Sequence, residues 1–324
     1  MSVPLTYRLY EENDLPSLLQ LWEEATGWGK LTPEVWRQWY VDTPYGSSIV
    51  VVAVDENGKI LGQEVFTPSL VIVGEQQVNA LRLSAPILGK DVRRSSLRSM
   101  KHPVIELYNV GADAAVERGY SLVYALPEYA WLPFFQWLPR FATTEYVCVA
   151  SPIPAALPDM AGEASRFSAH LLTEFGVEYE ALWQSARSTF PITCGIVRHP
   201  EWLHYKNEGH IALEVRERGD NTPLGYTAIK KQTGLLVDIL ARTPADLTPV
   251  LTATLNWLAS QQYDAKPDAI NSLKAMETPT LRPALRTLGF APVDYKFAFV
   301  CDPLDSSVPM AAIAPERWYI TPGD

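Results

Sequence analysis

Residues 116–141, VERGYSLVYALPEYAWLPFFQWLPRF, decide how the first half of the chain folds. A helix that begins at about Pro103 ends within this stretch, because proline suits the first turn of a helix and Gly119 suits the position after its end. The apolar residues 121–126 then predict a strand, and residues 131–138 predict a short aromatic helix. A helix, a strand and a second helix in direct succession must pack against a sheet, which the preceding residues have to supply.

That sheet is predicted by apolar runs joined by short turns. Residues 49–54 and 59–66 flank an Asn-Gly turn signal at Gly58, and a second pair of runs follows at 70–73 and 78–88. Consecutive strands joined in this way form an antiparallel meander, whereas a Rossmann-type unit has a helix between parallel strands. The first half is therefore predicted to be an α+β domain.

The second half repeats this order of elements. A strand, a helix, a hairpin, a buried strand and a long helix are predicted within residues 167–258. The spacing of aromatic residues recurs as well, since Phe141 lies five residues before Tyr146 and Phe290 lies five residues before Tyr295. We interpret this repeated order and spacing as the duplication of one domain. The alternative is a chance likeness between two unrelated α+β domains.

The predicted architecture is α+β, with two tandem domains that each contain a mixed, mostly antiparallel sheet flanked by helices. The segment 151–164 is rich in proline, alanine and glycine and has no periodicity, which is typical of a linker. We place the first domain at 1–152, the linker at 153–164 and the second domain at 165–324.

Composition limits the functions open to the chain. Its 324 residues carry a net charge of −10, whereas a general nucleic-acid binder is expected to be basic, so no nucleic-acid partner is predicted. The longest apolar run, 49–54, is far shorter than the roughly 20 residues that span a bilayer, and residues 1–10 lack the pattern of a signal peptide. Three dispersed cysteines without a CxxC pair argue against a metal site and favour a reducing compartment. We expect a cytoplasmic protein without membrane insertion, and the sequence leaves its oligomeric state open.

A basic cluster separates the predicted meander from the helix that follows it. Five cations lie within 12 residues, whereas 27 in 324 over the whole chain predicts about one. The N-terminus of a helix attracts anions, and arginine binds phosphate through two parallel hydrogen bonds. A phosphate site is therefore one interpretation, and a solvated basic loop or a contact with a partner is the other. The cluster comprises Lys90, Arg93, Arg94, Arg98 and Lys101.

Four stretches of the chain resemble the GCN5-related N-acetyltransferase family. In the first half they are 83–100, LSAPILGKDVRRSSLRSM, and the stretch 116–141 quoted above. In the second half they are LVDILA at 236–241 and LRTLGFAPVDYKFAFV at 285–300. The resemblance implies two tandem domains of this fold, a degenerate acetyl-CoA motif, and acetyl-CoA as the co-substrate.

The resemblance implies that the basic cluster holds the pyrophosphate of coenzyme A. Family members use an Arg/Gln-x-x-Gly-x-Gly/Ala loop at this place, and the nearest match here, 93–98, has both glycines replaced. Serine hydroxyls are expected to donate hydrogen bonds where glycine would have let the backbone approach. The second half has neither the glycine pattern nor a basic cluster, so it is not expected to hold coenzyme A. The cofactor-binding residues that the resemblance implies are Leu88, Arg93, Arg94, Ser95, Ser96 and Arg98.

The resemblance also implies a tyrosine in the last helix that protonates the leaving thiolate, but Phe135 occupies that position. Tyr124 and Tyr129 lie close in sequence and are the predicted substitutes, with ordinary core packing as their alternative role. Glu128 completes the predicted catalytic set. Several acidic residues are candidates for the general base, among them Glu64, Glu106 and Glu128, and only geometry ranks them.

Three functions remain at this point. The first is an acyl-CoA-dependent N-acyltransferase, in which the thioester lies between the strand ends near 85–88 and 124–126 and the acceptor is a small-molecule or peptide amine. The second is a non-catalytic binding or scaffold protein that has lost the coenzyme A cradle, as the missing glycines and Phe135 suggest. The third is a transferase acting on cell-envelope precursors or using aminoacyl-tRNA, which the acidic net charge disfavours.

Overall fold

The computed structural model describes residues 4–84, 86–90, 92, 101–153, 166–261 and 270–324. They form two compact units. Unit 1 comprises Met1–Thr143 and Phe299–Ala314, and unit 2 comprises Thr144–Ala298 and Pro315–Asp324. The predicted linker lies outside the described residues except for Ile153, and the boundaries given above for the two tandem domains stay a prediction.

Unit 1 begins with a strand and two helices and continues with the predicted meander. Its elements are β1 Thr6–Leu9, α1 Leu15–Thr26, α2 Pro33–Tyr40, β2 Ile49–Val54, β3 Ile60–Val73, β4 Gln76–Leu83, β5 Ile87–Leu88, α3 Pro103–Glu117, β6 Leu122–Ala125 and α4 Leu132–Trp137.

Unit 2 starts within the strand that follows α4. The remaining elements of the chain are β7 Ala142–Pro152, β8 Phe167–Leu171, α5 Glu178–Thr189, β9 Cys194–Ile196, α6 Pro200–Asn207, β10 Ile211–Glu217, β11 Pro223–Lys230, β12 Leu235–Ala241, α7 Leu247–Gln261, β13 Ser272–Met276, α8 Arg282–Thr287, β14 Ala291–Pro303 and β15 Trp318–Tyr319.

The sheet of unit 1 has the order β1-β2-β3-β4-β6, followed by the last part of β14, residues 299–303. Neighbouring strands are antiparallel except that β4 and β6 run parallel. Helix α3 makes the crossover between β4 and β6, which is the connection that parallel strands require. One face of the sheet packs against α3 and α4, and the other packs against α1 and α2.

Unit 2 contains a sheet of the same kind. Its strands follow the order β7-β13-β12-β11-β10-β8, and only β12 and β13 in this order run parallel. Strand β15 pairs in parallel with β9. The predicted fold class, α+β with a mixed, mostly antiparallel sheet flanked by helices, is therefore confirmed. None of the described helices has the length and apolarity needed to cross a bilayer.

One predicted break in the meander is wrong. The sequence predicts separate strands at 59–66 and 70–73, whereas β3 runs without interruption from Ile60 to Val73. Thr67, Pro68 and Ser69 interrupt the apolar pattern and therefore look like a turn. The next strand is long enough to pair with the whole stretch, and Pro68 lies opposite Leu81 in this ladder.

Helix α3 lies so close to the sheet that one of its positions has no room for a side chain. A Cβ atom added at Gly111 would lie 2.1 Å from Cε2 of Phe66, and both residues belong to the buried core of unit 1. Alanine at this position would raise the helix propensity by about 1 kcal/mol. The overlap with the aromatic ring is the larger effect, because overpacking a core costs about 1–3 kcal/mol.

We therefore expect Gly111→Ala to lower the free energy of unfolding of unit 1 by about 1–3 kcal/mol, measured by urea unfolding. Asp113→Ala is the matched control, because this residue is exposed on the same helix. Its effect should stay within about 0.5 kcal/mol. A gain in stability for Gly111→Ala would show that helix propensity outweighs the overlap.

Candidate active site

The strand that precedes α3 is interrupted beside the middle of β3. Residues 66–73 of β3 pair with β4, and Gln63 and Gly62 pair with Ile87 and Leu88 of β5. Glu64 and Val65 consequently lie opposite the interruption between β4 and β5. On its other side, β4 pairs with β6 from Ala80 to Arg82, and the described pairs stop there. The described pairs of the two parallel strands thus end close to the place where the thioester was predicted to lie.

A cavity of about 180 Å3 lies on the α3 side of this sheet. Its walls come from β3, from the first half of α3, from α4 and from the segment that follows α4. Most of the lining is aliphatic or aromatic. The residues are Glu64, Val104, Ile105, Tyr108, Asn109, Phe134, Phe135, Leu138, Pro139, Arg140 and Phe141.

Glu64 is the one acidic residue in this lining. By strand alternation it shares a face with Gly62 and Phe66, and its partner Val51 packs in the same core as α3. Its residue exposure is 1%, and its Oε2 atom has no hydrogen-bond partner among the described residues. Burial raises the pKa of Glu64 well above its usual range, because the apolar surroundings disfavour the carboxylate.

A second polar group at the cavity is a buried carboxylate that holds two of the lining side chains. The Tyr108 hydroxyl donates to Oδ2 of Asp302 at 2.6 Å, and Nε of Arg140 donates to the same oxygen at 2.5 Å. The Arg140 guanidinium also stacks 5.0 Å from the centre of the Tyr108 ring. Burial raises the pKa of Asp302, although Tyr108 and Arg140 both act to lower it.

Tyr108 is therefore a positioned hydrogen-bond donor rather than an acid that releases a proton easily. Burial, together with the nearby Asp302 carboxylate, raises the pKa of Tyr108 well above its usual value. Its hydroxyl proton is already donated in the hydrogen bond to Asp302. The network consequently fixes Arg140 at the cavity by a charge-assisted bond and a stacking contact.

The start of α3 carries a buried histidine next to the cavity wall. Nδ1 of His102 accepts the backbone N–H of Val104 at 3.2 Å, which caps the helix. Burial lowers the pKa of His102. Because Nδ1 accepts a hydrogen bond, the neutral ring carries its proton on Nε2. That Nε2 has no hydrogen-bond partner among the described residues, and the ring lies 6.2 Å from that of Phe134.

The structure does not bring the predicted catalytic residues together. Tyr124 is buried in β6, where the neighbouring Val123 and Ala125 pack in the core on the α3 side, so its side chain points to the opposite face. Glu128 is exposed, and Tyr129 begins a short 3-10 turn with 38% exposure. None of the three lines the cavity, and their catalytic roles stay predictions.

The predicted cofactor-binding residues lie mostly outside the described part of the chain, which contains neither Arg93 nor Arg94, Ser95, Ser96 or Arg98. Leu88 is described. Its side chain is buried in the core between the sheet and α3, and its backbone lies in the ladder opposite Gly62. Phe135, where the resemblance places a tyrosine, lies on α4 and lines the cavity.

Sequence reasoning left Glu64 unranked and missed Arg140 and Asp302. One signal was present, because alternation places the Glu64 carboxylate on the otherwise apolar face of its strand. Asp302 gave a weaker signal as an acid directly after the apolar run 297–301. Its contact with Arg140 spans 162 residues of sequence, which no local pattern reveals.

Solved structures resemble this chain over nearly its whole length. A GCN5-related N-acetyltransferase from Anabaena variabilis has a TM-score of 0.64 and 11% identity, covering 93% of this chain and 73% of that one. Another from Kribbella flavida has a TM-score of 0.59 and 12% identity, covering 96% and 74%. The N-myristoyltransferase of Saccharomyces cerevisiae, solved with bound myristoyl-CoA, has a TM-score of 0.60 and 12% identity, covering 92% and 80%.

The chain has the GCN5-related N-acetyltransferase fold. Identities of 11–12% establish the fold and no more than the fold. No protein-family model and no curated protein matches the sequence. In this chain, the cavity between α3 and α4 lies on the same sheet as the interruption between β4 and β5.

The buried Glu64 makes the stability of unit 1 depend on pH. Its pKa is raised in the folded state, so its favourable contribution is present below the unfolded pKa of about 4.3 and is lost as the pH rises through the folded pKa. Glutamine resembles the protonated acid and avoids the buried charge. We therefore expect Glu64→Gln to raise the unfolding free energy by about 1–3 kcal/mol at pH 8 and to change it little at pH 4.

Urea unfolding of wild type and variant across this pH range measures the difference. Glu56→Gln is the control, because Glu56 is exposed in the turn between β2 and β3. An equal effect of Glu64→Gln at both pH values would show that the Glu64 pKa is not raised.

Proposed function

We propose that the chain is an N-acyltransferase that uses acyl-CoA and that unit 1 carries the reaction. The observation that supports this most is the Glu64 carboxyl group in an apolar cavity beside the interruption of β4. This group is buried, and its Oε2 has no hydrogen-bond partner among the described residues. A buried carboxylate without compensating bonds costs free energy of folding. Such a group is typical of a site where a proton has to be accepted.

In the proposed reaction, the lone pair of a neutral amine attacks the thioester carbonyl carbon. The C–N bond forms, the C–S bond breaks, and the amine proton passes to the Glu64 carboxylate. The leaving thiolate of coenzyme A takes up a proton from water and Glu64 returns its proton to water, so that the products are an amide and the free thiol. A backbone N–H at the end of β4 is proposed to stabilise the developing oxyanion.

The mostly apolar cavity between α3 and α4 is proposed to hold the acceptor beside Glu64, and the thioester is proposed to lie at the interruption between β4 and β5. The pyrophosphate is assigned to the basic cluster on the resemblance alone, with Arg93 and Arg94 as its main ligands. Among the structural neighbours, the yeast N-myristoyltransferase was solved with bound myristoyl-CoA. We propose acetyl-CoA as the donor and a small-molecule or peptide amine as the acceptor.

Unit 2 is proposed to be a degenerate second copy of the domain. Its elements repeat the order of unit 1, with strands, a long helix after the buried strand β12, a further strand, a short helix and a long last strand. Because it lacks the glycine pattern and the basic cluster, we assign it no coenzyme A site. A cytoplasmic location is proposed as well, since the three cysteines are buried and none of them forms a disulfide bond.

The second candidate function is a non-catalytic binding protein of the same fold. Phe135 favours it, because it lines the cavity and offers no proton to a leaving thiolate. This candidate predicts binding of a ligand in the cavity without turnover.

Incubating the purified protein with acetyl-CoA and a panel of primary amines decides between the two functions. The transferase predicts release of free thiol that depends on the amine, together with an N-acetyl product detected by mass spectrometry. Binding of acetyl-CoA or of an amine, with thiol release no faster than in protein-free buffer, would support the non-catalytic candidate.

A further inference from the structure

We infer that the acceptor of unit 1 is an amine joined through an apolar segment to an anionic group, an inference that rests on the proposed transferase function. The cavity is lined by two polar groups of different exposure and by mostly apolar residues. Glu64 is 1% exposed and marks the deep end, whereas the Arg140 side chain is 41% exposed and marks the open end. The Glu64 end matches the amine of the acceptor, the Arg140 end matches its anionic group, and the middle matches the segment between them.

The Glu64 end is the deep one. This residue is 1% exposed and has no hydrogen-bond partner for Oε2 among the described residues, so an incoming N–H donor satisfies an atom that the protein leaves unpaired. An amine supplies such donors. A hydroxyl supplies fewer donors, and an anion would be repelled by the Glu64 carboxylate. The amine is also the group that has to meet the base in the proposed reaction.

The middle of the cavity sets the size of the apolar segment. Val104, Ile105, Phe134, Phe135 and Phe141 are among the apolar residues that line the cavity. A dry apolar cavity of about 150 Å3 holds one benzene molecule, so the volume of about 180 Å3 here fits one aromatic ring or an aliphatic chain of about six carbons. The edge-to-face contacts that Phe135 makes with Phe134 and Phe141 preform the aromatic wall.

The Arg140 end is the open one, with 41% of the side chain exposed. Nε of Arg140 donates to Asp302, which is 2% exposed at its side chain, and the stacking on Tyr108 fixes the plane of the guanidinium. Its two terminal nitrogens make no hydrogen bond to any described residue. A guanidinium held at Nε with both terminal nitrogens available is the arrangement that binds a carboxylate through two bonds.

Three matched probes test this inference without any acyl donor. They are 4-(aminomethyl)benzoate, benzylamine, which lacks the anionic group, and 4-methylbenzoate, which lacks the amine. Calorimetric titration of the full chain should show the first probe binding about ten- to a hundredfold more tightly than either of the others, because each charge-assisted pair contributes at this level.

Two variants test which residue binds the amine and which binds the anionic group. Arg140→Gln should remove the preference for 4-(aminomethyl)benzoate over benzylamine while leaving the affinity for benzylamine unchanged. Glu64→Gln should remove the preference over 4-methylbenzoate. Arg118→Gln is the control, because Arg118 is exposed at the end of α3 and does not line the cavity, and it should keep both preferences.

Equal affinities for 4-(aminomethyl)benzoate and benzylamine in the wild type, or a preference that survives Arg140→Gln, would overturn the inference. Acetyl transfer to benzylamine as fast as to 4-(aminomethyl)benzoate would overturn it while leaving the transferase function in place. Binding as expected without any acetyl transfer would support the ligand class and overturn the transferase function.

Discussion

Asp238→Asn is expected to lower the free energy of unfolding of unit 2 by about 3–5 kcal/mol. Asp238 belongs to a cluster of two cations and two anions whose side chains are all completely buried. Nη2 of Arg198 lies 3.2 Å from Oδ1 of Asp238 and 2.9 Å from Oδ2 of Asp324, and Nζ of Lys206 lies 3.2 Å from Oδ2 of Asp238. Lys206 also bonds to Asp324, so each ion contacts both ions of opposite charge.

The expected loss comes from the imbalance that the substitution leaves behind. Burial by itself would raise the pKa of Asp238, but Lys206 and Arg198 hold it well below its usual range, so the aspartate is charged at neutral pH. Asparagine would leave two buried cations facing one carboxylate. Its amide would also disturb the bond that the Tyr226 hydroxyl donates to Oδ2 of Asp238 at 2.7 Å.

The pH dependence has a definite sign. Because the pKa of Asp238 is depressed in the folded state, its contribution to stability is present above the unfolded pKa of about 3.9 and is lost as the pH falls through the folded pKa. Urea unfolding at pH 7 therefore measures the full effect.

Two further variants make this prediction falsifiable. Glu174→Gln removes an exposed acid of the same unit and should change the unfolding free energy by no more than about 0.5 kcal/mol. The double variant Asp238→Asn, Lys206→Met removes one ion of each sign, restores the charge balance and should recover part of the loss. If Asp238→Asn alone lowers the unfolding free energy by less than about 1 kcal/mol, the cluster does not contribute to the stability of unit 2 as expected.

Glu64→Gln is expected to lower the rate of acyl transfer by about 10²–10⁴-fold, the usual contribution of a general base. Glutamine keeps the shape of the side chain but does not accept the amine proton. Since the wild-type reaction needs the carboxylate and burial raises its pKa, kcat/KM should rise with pH up to this raised pKa and then level off. In the variant, this rise should disappear.

Steady-state thiol release between pH 5 and pH 9, with the N-acetyl product confirmed for each variant, measures both effects. Glu56→Gln is the exposed control and should keep the wild-type rate and pH profile. If Glu128→Gln abolishes transfer while Glu64→Gln retains it, the base is at the position predicted from the sequence and the cavity has another role.

The features that sequence reasoning predicted well are those with local signals. Helix α3 runs from Pro103 to Glu117, within one residue of the prediction, because its first proline and the glycine after its end mark both limits. The hairpin predicted within residues 167–258 is likewise confirmed, because β10 and β11 pair in antiparallel fashion. Hydrophobic periodicity and turn chemistry act over a few residues, so a single sequence contains them.

The features that it missed depend on contacts distant in sequence. Residues 299–303 pair with β6 in the sheet of unit 1, although they lie far along the chain from the rest of that unit. Only this arrangement brings Asp302 to Tyr108 and Arg140. The choice of Glu64 among several acidic residues also depended on burial and on a cavity, neither of which is a property of the sequence near it.

Calorimetric titration of the full chain with acetyl-CoA tests the central claim, that unit 1 binds an acyl-CoA for transfer to an amine. We predict saturable binding in the micromolar range, which the double variant Arg93→Ala, Arg94→Ala loses while remaining folded by circular dichroism. A folded wild-type protein that takes up no acetyl-CoA would contradict the claim and leave the non-catalytic binding protein as the better account.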